Sequence, residues 1–413
     1  MSPTPRAALL AGVLAVAALV APVWAVVLAE LALATTVVVD ALVVRRPPEV
    51  ERRAPPFASR GVAAPLSVAV APRPGSVRVR QPMPPDVRLE PREGELRLDA
   101  RLTARRRGRH VLPAVAVRTT GPLRLGRWDH RAGGEHELLV YPDLPAARRL
   151  ATAVRRGRFR LEGRARGPLG LGTEFESIRD YLPDDDVRQV NWRATQRLAR
   201  PMSNQYRLER DRDVICLVDC GRLMAAPLGD RTRLDAALDA VVAVSAVADV
   251  LGDRCGAIAF DQGVRRAVPA RRRGANAVVR AVFDLEPVPV DSDYERAFVA
   301  VGEAKRAFVL VLTDLLEETA ARPLIEAVPM LARRHVLAVA SATDTDLERM
   351  TTTPPEQAID VYRAAVALDV RAARERVARA LAHAGAEIVD APPQALGAAC
   401  VRAYLRAKTR ALV

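Results

Sequence analysis

The sequence predicts a membrane-anchored protein in which an all-β domain precedes a doubly wound α/β domain. Three observations predict this fold class. The N-terminus is continuously apolar, the middle alternates apolar and polar residues, and the C-terminal half alternates apolar strands with helical patterns. At 413 residues the chain is long enough for two or three domains. We divide it into a membrane hairpin (1–50), a β-sandwich-like domain (51–145), a connector (146–212) and an α/β domain (213–413).

The N-terminal stretch between Arg6 and Arg45 holds 38 residues, of which only Glu30 and Asp40 are charged. As a single helix it would extend about 57 Å, roughly twice the hydrocarbon core of a bilayer. It therefore predicts two membrane spans that turn near Pro22.

The two predicted spans cover about 7–22 and 24–44. Arginines flank the pair on both sides, which favours the cytoplasm for both termini and for the soluble domains of an inner-membrane protein. Two alternatives stay open. One is a cleaved secretory signal, and the other is a single crossing helix with the remainder lying along the membrane surface.

The middle domain is basic and rich in β-strand patterns. Strand patterns such as 66–71, 77–80 and 96–102 have period-2 alternation, with arginine on one face of the last two, which predicts an antiparallel sandwich resembling an immunoglobulin-type module. Between Glu51 and Gly170 there are 26 arginines against 11 acidic residues, enough to account for the net charge of +14. A basic segment next to a membrane anchor fits attraction to anionic lipid head groups, and nucleic acid is the alternative partner. The arginine-rich residues 143–171 are interpreted as a solvated linker.

After residue 213 the pattern becomes that of a mostly parallel sheet covered by helices. Two strands, 214–219 and 308–314, are apolar until they end in Asp219 and Asp314. In such sheets, ligands bind at the carboxyl ends of strands. The other predicted elements are strands at 255–260, 265–269, 336–341 and 387–389, and helices at 231–251, 275–285, 294–305, 324–334, 357–384 and 393–411.

One polar segment carries a recognisable signature. It interleaves acids, arginines and two aromatic residues without a helical or strand period, and its members are Glu174, Arg179, Tyr181, Asp185, Asp186, Arg188, Trp192 and Arg193. This pattern resembles the bacterial domain-of-unknown-function 58 family, which carries Glu-Phe-x-x-x-Arg-x-Tyr, then a Pro/Gly-Asp-Asp turn, then Arg-x-(Ile/Val)-(Asp/Asn)-Trp-(Lys/Arg)-Ala. Asn191 stands where that family usually has an acid. The resemblance implies a membrane-anchored scaffold or adaptor that works with a MoxR-type AAA ATPase in the assembly or maturation of other complexes, ATP being bound by the partner.

The C-terminal domain also resembles the von Willebrand factor A fold. There, Asp-x-Ser-x-Ser after the first strand, a Thr and a further Asp hold a divalent cation. The matching positions here are Asp219, Ser292 and Asp314, but Gly221 and Leu223 replace the two serines and offer no side-chain oxygen. The sequence therefore predicts a degenerate metal site that binds no Mg²⁺, and it predicts no other cofactor. The alternative role of the two aspartates is to cap helices or to pair with Arg222.

Catalytic motifs are absent from the sequence. It contains no phosphate-binding glycine loop, no Gly-x-Ser-x-Gly and no His-Glu-x-x-His. We therefore expect a protein without enzymatic activity. The alternatives are a metal-dependent hydrolase that uses Asp219, Asp314 and Asp184 to Asp186, and a basic domain that binds lipid or nucleic acid. The aspartate cluster at 184–186 is interpreted as a turn with local salt bridges.

Overall fold

The computed structural model describes residues 1–157, 174–182, 185, 187–207, 212–302, 306–315 and 318–409. The chain forms two compact units, Met1–Tyr141 and Pro142–Val413. Residues 158–171 of the predicted arginine-rich linker lie outside the described residues, as do the predicted helix ends at Lys305 and residue 411. The first unit contains, in chain order, β1 (Ser2–Pro3), α1 (Pro5–Ala17), α2 (Val23–Val43), β2 (Val50–Arg53), β3 (Phe57–Ser59), β4 (Ala64–Val70), β5 (Ser76–Arg80), β6 (Val87–Glu90), β7 (Glu93–Glu95), β8 (Arg97–Ala104), β9 (Gly108–Leu112), β10 (Val115–Thr120), β11 (Gly126–Ala132) and β12 (His136–Tyr141).

The apolar N-terminus forms two helices of unequal length. The predicted first span, 7–22, is too long, because α1 ends at Ala17 and a turn leads to Pro22 at the start of α2. Proline restricts the residue before it and favours a break at this point. Among the described helices, only α2, with 21 residues, is long and apolar enough to cross a membrane. The 13-residue α1 rises about 20 Å as a helix, less than the hydrocarbon core.

The β-strands of the first unit form sheets that share one core. A five-stranded sheet has the order β1-β11-β10-β5-β7, a four-stranded sheet β2-β4-β8-β6, and a three-stranded sheet β3-β12-β9. Every second residue of a strand points inward, so valines and leucines from all three sheets meet in one cluster while the intervening arginines face solvent. This all-β arrangement follows the period-2 pattern of the sequence.

The carboxyl end of α2 is attached to the turn between β10 and β11. The buried carboxylate of Asp40 accepts hydrogen bonds from the backbone N–H groups of Leu123, Leu125 and Gly126, each at 2.9 Å. Glycine is required at 126, since a Cβ there would lie 2.4 Å from the carbonyl oxygen of Val37. An acid in an otherwise apolar helix is therefore explained by the three N–H groups that it satisfies.

The second unit is an α/β structure. Its elements are α3 (Leu144–Arg155), β13 (Glu174–Asp180), α4 (Trp192–Leu198), β14 (Met202–Arg207), β15 (Asp213–Asp219), β16 (Pro227–Leu228), β17 (Arg231–Thr232), α5 (Arg233–Leu251), β18 (Arg254–Phe260), β19 (Val264–Arg272), α6 (Ala275–Val282), α7 (Tyr294–Val301), β20 (Phe308–Leu312), α8 (Glu318–Ala332), β21 (Val336–Ala342), α9 (Thr345–Thr352), α10 (Ala358–His383), β22 (Glu387–Ala391) and α11 (Leu396–Thr409). The main sheet has the order β19-β18-β15-β20-β21-β22, and only β19 runs antiparallel to its neighbour. The predicted alternation of strands and helices is confirmed.

Two segments differ from the prediction. Residues 144–155 were expected in a linker but form α3, whose buried Ala147, Ala151 and Val154 pack it on α5. The signature segment has no strand period, yet β13 and β14 pair as an antiparallel hairpin with α4 between them. Both are cases in which tertiary packing overrides a locally polar sequence.

Candidate functional site

The strands β15 and β20 are neighbours in the sheet and run parallel, so Asp219 and the residues after β20 meet at one edge. The carboxylate of Asp219 is buried and accepts four hydrogen bonds. Its Oδ1 accepts from the N–H of Gly221 at 2.7 Å and from the hydroxyl of Ser292 at 2.5 Å. Its Oδ2 accepts from the hydroxyls of Thr313 at 2.6 Å and Tyr294 at 3.1 Å. We call these five residues the Asp219 cluster.

The Asp219 cluster consists of a carboxylate and neutral donors. The hydroxyls of Tyr294 and Thr313 lie 2.9 Å apart, so either one can donate to the other in place of its bond to Asp219. Burial and the neighbouring Asp219 carboxylate raise the pKa of Tyr294 well above its usual value. Tyr294 is therefore a hydrogen-bond donor at any physiological pH.

The cluster does not fit a divalent cation. A Cβ at Gly221 would lie 2.3 Å from the Ser292 hydroxyl, so Ser292 occupies the space that a serine side chain at 221 would need. Both Asp219 oxygens are committed to donors, whereas Mg²⁺ requires near-octahedral oxygen ligands with free lone pairs. In the described ranges, no three His, Cys, Asp or Glu side chains are grouped so that they could hold a metal ion.

Asp314, the third predicted ligand, faces a different set of partners. Its Oδ1 accepts hydrogen bonds from Arg233 at 2.8 Å and Arg374 at 3.1 Å, with the Ser341 hydroxyl at 3.3 Å. The three charged side chains are almost completely buried. Burial raises the pKa of Asp314 and lowers that of Arg233, and the opposite charges of the pair resist both shifts. We call Asp314, Arg233 and Arg374 the buried triad.

Only part of this geometry was predicted from the sequence. It paired Asp219 with Ser292, and the structure places these side chains in contact. It grouped Asp314 with them, whereas Asp314 is bonded to arginines from α5 and α10. Arg222, the alternative partner of the aspartates, forms its ion pair with Asp291 at 2.5 Å on the surface.

Several residues of the two groups were missed from the sequence, namely Tyr294, Thr313, Arg233, Ser341 and Arg374. Thr313 had a signal, since it immediately precedes a strand-end aspartate. The arginines had none, because arginine is abundant throughout the chain.

The signature segment is organised around Asp185. Arg179 donates to Asp185 Oδ1 at 2.6 Å, the Leu182 N–H donates to Oδ2 at 2.8 Å, and the Tyr181 hydroxyl donates to the Asp185 carbonyl at 2.9 Å. The hydrogen bond from Arg179 is the main reason why the pKa of Asp185 is lowered. These bonds fix the turn that joins β13 to the following short helical turn at 187–189.

Asn191 has a structural role in the same segment. It is the N-cap of α4, where its side-chain oxygen accepts from the N–H of Ala194 at 2.9 Å, and its amide donates to Asn204 on β14 at 2.7 Å. An acid at this position would keep the first bond, and the second would require the Asn204 amide to turn and donate. Asp184 and Asp186 lie outside the described residues, as do the side chains of Glu174 and Arg188.

The signature segment exposes apolar side chains. Trp192 is 70% exposed at the start of α4, and Arg193 beside it is also exposed. The other exposed large apolar residues between β13 and the end of α4 are Ile178, Leu182, Val187 and Leu198. Tryptophan and arginine are the residue types most enriched at the energetic centres of protein interfaces.

Fold and site together define a class of protein: an α/β unit with a buried, hydrogen-bonded strand-end aspartate and an exposed signature hairpin, joined to a β-unit that follows an apolar helix. The family model described as "Protein of unknown function DUF58" matches residues 177–387, just over half of the chain. The chain belongs to this family.

Uncharacterized proteins of Mycobacterium bovis and Mycobacterium tuberculosis are 27% identical to this chain over 186 residues. The aligned part covers 43% of this chain and 58% of those proteins. The chain therefore spans somewhat more than half the length of these relatives.

Proposed function

We propose that this protein is a non-enzymatic, membrane-anchored adaptor whose α/β unit, of the von Willebrand factor A type, binds protein partners through the signature segment. The observation that carries the proposal is the exposure of Trp192 on a hairpin held rigid by Asp185 and Asn191. Exposure of a large apolar ring to water is unfavourable in free energy, and burial of the ring against a partner removes this cost.

Protein binding without catalysis is supported by the geometry of the Asp219 cluster. Its carboxylate is saturated by donors, and Tyr294 stays protonated, so neither group serves as a general base. On this proposal the protein requires neither a metal ion nor another cofactor. ATP hydrolysis would belong to a MoxR-type AAA ATPase, the partner that family resemblance suggests.

A two-pass membrane arrangement with the soluble units in the cytoplasm is the second part of the proposal. What supports it is that both ends of the helical region bind the same turn. Thr4 contacts Arg124 and Leu125 before α1, and Asp40 contacts this turn at the end of α2. If α2 crosses the bilayer, α1 and the turn after it must return across the same thickness. The 13 residues of α1 supply about 20 Å, and residues 18–21 form a hydrogen-bonded turn, so the return requires the bilayer to thin around α1.

Partner binding is tested by affinity purification of the full-length protein from native membranes after crosslinking. We expect Trp192→Ala to lower recovery of the ATPase at least tenfold, because truncation of an interface tryptophan typically costs 2 kcal/mol or more. The matched control is Tyr362→Ala on α10, which removes an aromatic ring of equal exposure, 71%. Equal recovery with both variants would contradict the role of the signature segment.

Topology is tested by cysteine labelling, since all four native cysteines are buried. Val20→Cys, in the exposed turn between α1 and α2, should react with an impermeant maleimide in sealed right-side-out vesicles. Gly134→Cys, in the exposed loop between β11 and β12, should react only after lysis. Labelling of Gly134→Cys in sealed vesicles would reverse the orientation.

A further inference from the structure

A basic cleft of about 410 Å³ lies where α1 joins the five-stranded sheet of the first unit. Strands β5, β10 and β11 and the first turn of α1 contribute its walls. The charged residues that line it are Arg6, Arg78, Glu95, Arg118, Arg124 and Arg127. Five arginines face one glutamate, so the cleft carries a surplus of positive charge.

Several arginines of the basic cleft have no ion-pair partner among the described residues. Arg78 on β5 lies directly opposite Arg118 on β10, a like-charge arrangement that destabilises a sheet, and directly opposite Glu95 on β7 on its other side. Arg118 has a partner in Asp129 at 2.7 Å on β11. Within the described parts of the chain, no ion pair forms at Arg6, Arg78 or Arg124. An anion between Arg78 and its neighbours would remove the repulsion.

The position of the basic cleft points to the source of that anion. Arg6 lies in the first turn of α1, and the following residues Leu9, Leu10 and Val13 expose their side chains. The turn that carries Arg124 also exposes Leu123, and it is the same turn that binds Asp40 at the end of α2. The cleft therefore lies at the depth at which the apolar helices begin and end. At that depth a membrane places its phosphate groups.

A contact between an aromatic and a basic side chain lies at the same depth as the basic cleft. The guanidinium of Arg45, just after α2, lies 6.0 Å from the ring centre of Trp128 on β11. Tryptophan and arginine beside the ends of an apolar helix are typical of the interface between lipid and water.

We propose that the basic cleft binds the phosphate of an anionic phospholipid head group. Planar guanidinium groups from three strands, one turn and the start of α1 line the cleft, and arginine binds phosphate oxygens in a bidentate manner. The inference rests on the membrane anchoring proposed above and adds a specific lipid contact to it. The contact would hold the β-unit against the membrane surface.

The test uses the full-length protein in detergent micelles, titrated with phosphatidylglycerol or phosphatidylcholine and followed by native mass spectrometry. We expect tighter binding of phosphatidylglycerol than of phosphatidylcholine. In the double variant Arg78→Gln/Arg124→Gln, affinity for phosphatidylglycerol should fall about thirtyfold, since each arginine near an anionic surface contributes about fivefold. Both side chains are exposed, and glutamine tolerates the positive φ of residue 124 as arginine does, so folding should be retained.

The matched control is Arg88→Gln/Arg101→Gln, which removes the same charge from exposed positions on the four-stranded sheet. Unchanged affinity in the control supports a defined cleft. Equal losses in both double variants would show that net charge alone attracts the lipid and would overturn the proposal. Binding of inorganic phosphate alone at least as tightly as phosphatidylglycerol would overturn it as well, by assigning the cleft to free phosphate.

Flotation with liposomes of pure phosphatidylcholine tests the membrane anchor separately from the basic cleft. If the protein does not float with them, the anchoring proposal fails, while the micelle titration still reports on the cleft. If it floats and the two lipids bind equally in micelles, the cleft proposal fails alone.

Discussion

Asp219 and Asp314 follow neighbouring parallel strands, and both side chains are buried, yet they are stabilised in different ways. Asp219 accepts hydrogen bonds from one backbone N–H and three hydroxyl groups, all of them neutral. Asp314 is bonded to two buried arginines. The hydroxyl donors around Asp219 are neutral dipoles that can reorient, whereas the arginines around Asp314 carry fixed positive charges.

The difference shows that a strand-end aspartate does not define its own role. The partners of Asp219 come from the loop after its own strand, the residue after β20, and the start of α7 with the loop before it, the last two groups lying 73 to 94 residues away. The partners of Asp314 come from helices α5 and α10, distant in sequence by 81 and 60 residues. A hydroxyl group can rotate from donor to acceptor, whereas an arginine only donates. The Asp219 cluster should therefore adapt to a change that the buried triad does not tolerate.

The largest expected effect comes from making the same substitution at both sites. Asp314→Asn removes the buried counter-charge of two guanidinium groups and leaves the half-exposed Asp390, 3.9 Å from Arg374, so it should lower the free energy of unfolding by about 3–5 kcal/mol. Asp219→Asn keeps an acceptor oxygen and allows a hydroxyl to turn toward the new amide, so we expect a loss of about 1–2 kcal/mol. Native-state hydrogen exchange of β15 and β20 in the full-length protein measures both.

The matched pair also controls for nonspecific damage, since the substituted atoms are the same and both positions are buried. A larger loss for Asp219→Asn than for Asp314→Asn would contradict the assignment of neutral and charged sites. Addition of Arg374→Met to Asp314→Asn should recover part of the lost stability, because it removes one unpaired charge. That recovery would strengthen the assignment of Asp314 to a charged site.

A smaller effect should appear at alkaline pH. Burial and the Asp219 carboxylate raise the pKa of Tyr294 in the folded state, so its contribution to stability is complete below the unfolded pKa of about 10. Above that pH the unfolded chain loses the proton first, and the contribution declines until the folded pKa is reached. Between pH 8 and 11 the stability advantage of the natural protein over Tyr294→Phe should shrink by about 1.4 kcal/mol. An advantage that does not change with pH would mean that Tyr294 ionises as easily in the folded chain.

The sequence was sufficient for the parts of the fold that depend on periodicity. Residues 214–218 and 308–312 are continuously apolar because helices cover both faces of the sheet, and both segments are strands. The α3 helix was missed because arginines surround its buried residues, although Ala147, Ala151 and Val154 have helical spacing. The turn near Pro22 was predicted, but the first helix ends five residues before it, at Ala17, because residues 18–21 are as apolar as the helix and give no signal of its end.

The candidate site was less predictable than the fold. The contact between Asp219 and Ser292 follows from the order of strand-end loops, a local rule. The buried triad depends on which face of α5 and α10 meets the sheet edge, and that is set by packing over the whole unit. Sequence alone assigned Asp314 to the wrong partners for this reason. The exposure of Trp192 likewise depends on the pairing of β13 with β14, which the sequence pattern did not predict.

The smallest expected effect is the absence of a response to magnesium, and it is the sharpest distinction between a cation pocket and a hydrogen-bonded cluster. A ligand that binds the folded state raises its stability by RT ln(1 + [L]/Kd), about 2.7 kcal/mol at a concentration 100 times Kd. Mg²⁺ at Asp219 would have to displace the hydroxyls of Ser292, Tyr294 and Thr313, which are held between 2.5 and 3.1 Å. We therefore expect millimolar Mg²⁺ to leave the exchange rates of β15 amides unchanged. Amide protection that rises with Mg²⁺ and disappears in Asp219→Ala would mean that the three hydroxyls act as metal ligands. The two aspartates would then differ in metal binding rather than in hydrogen bonding.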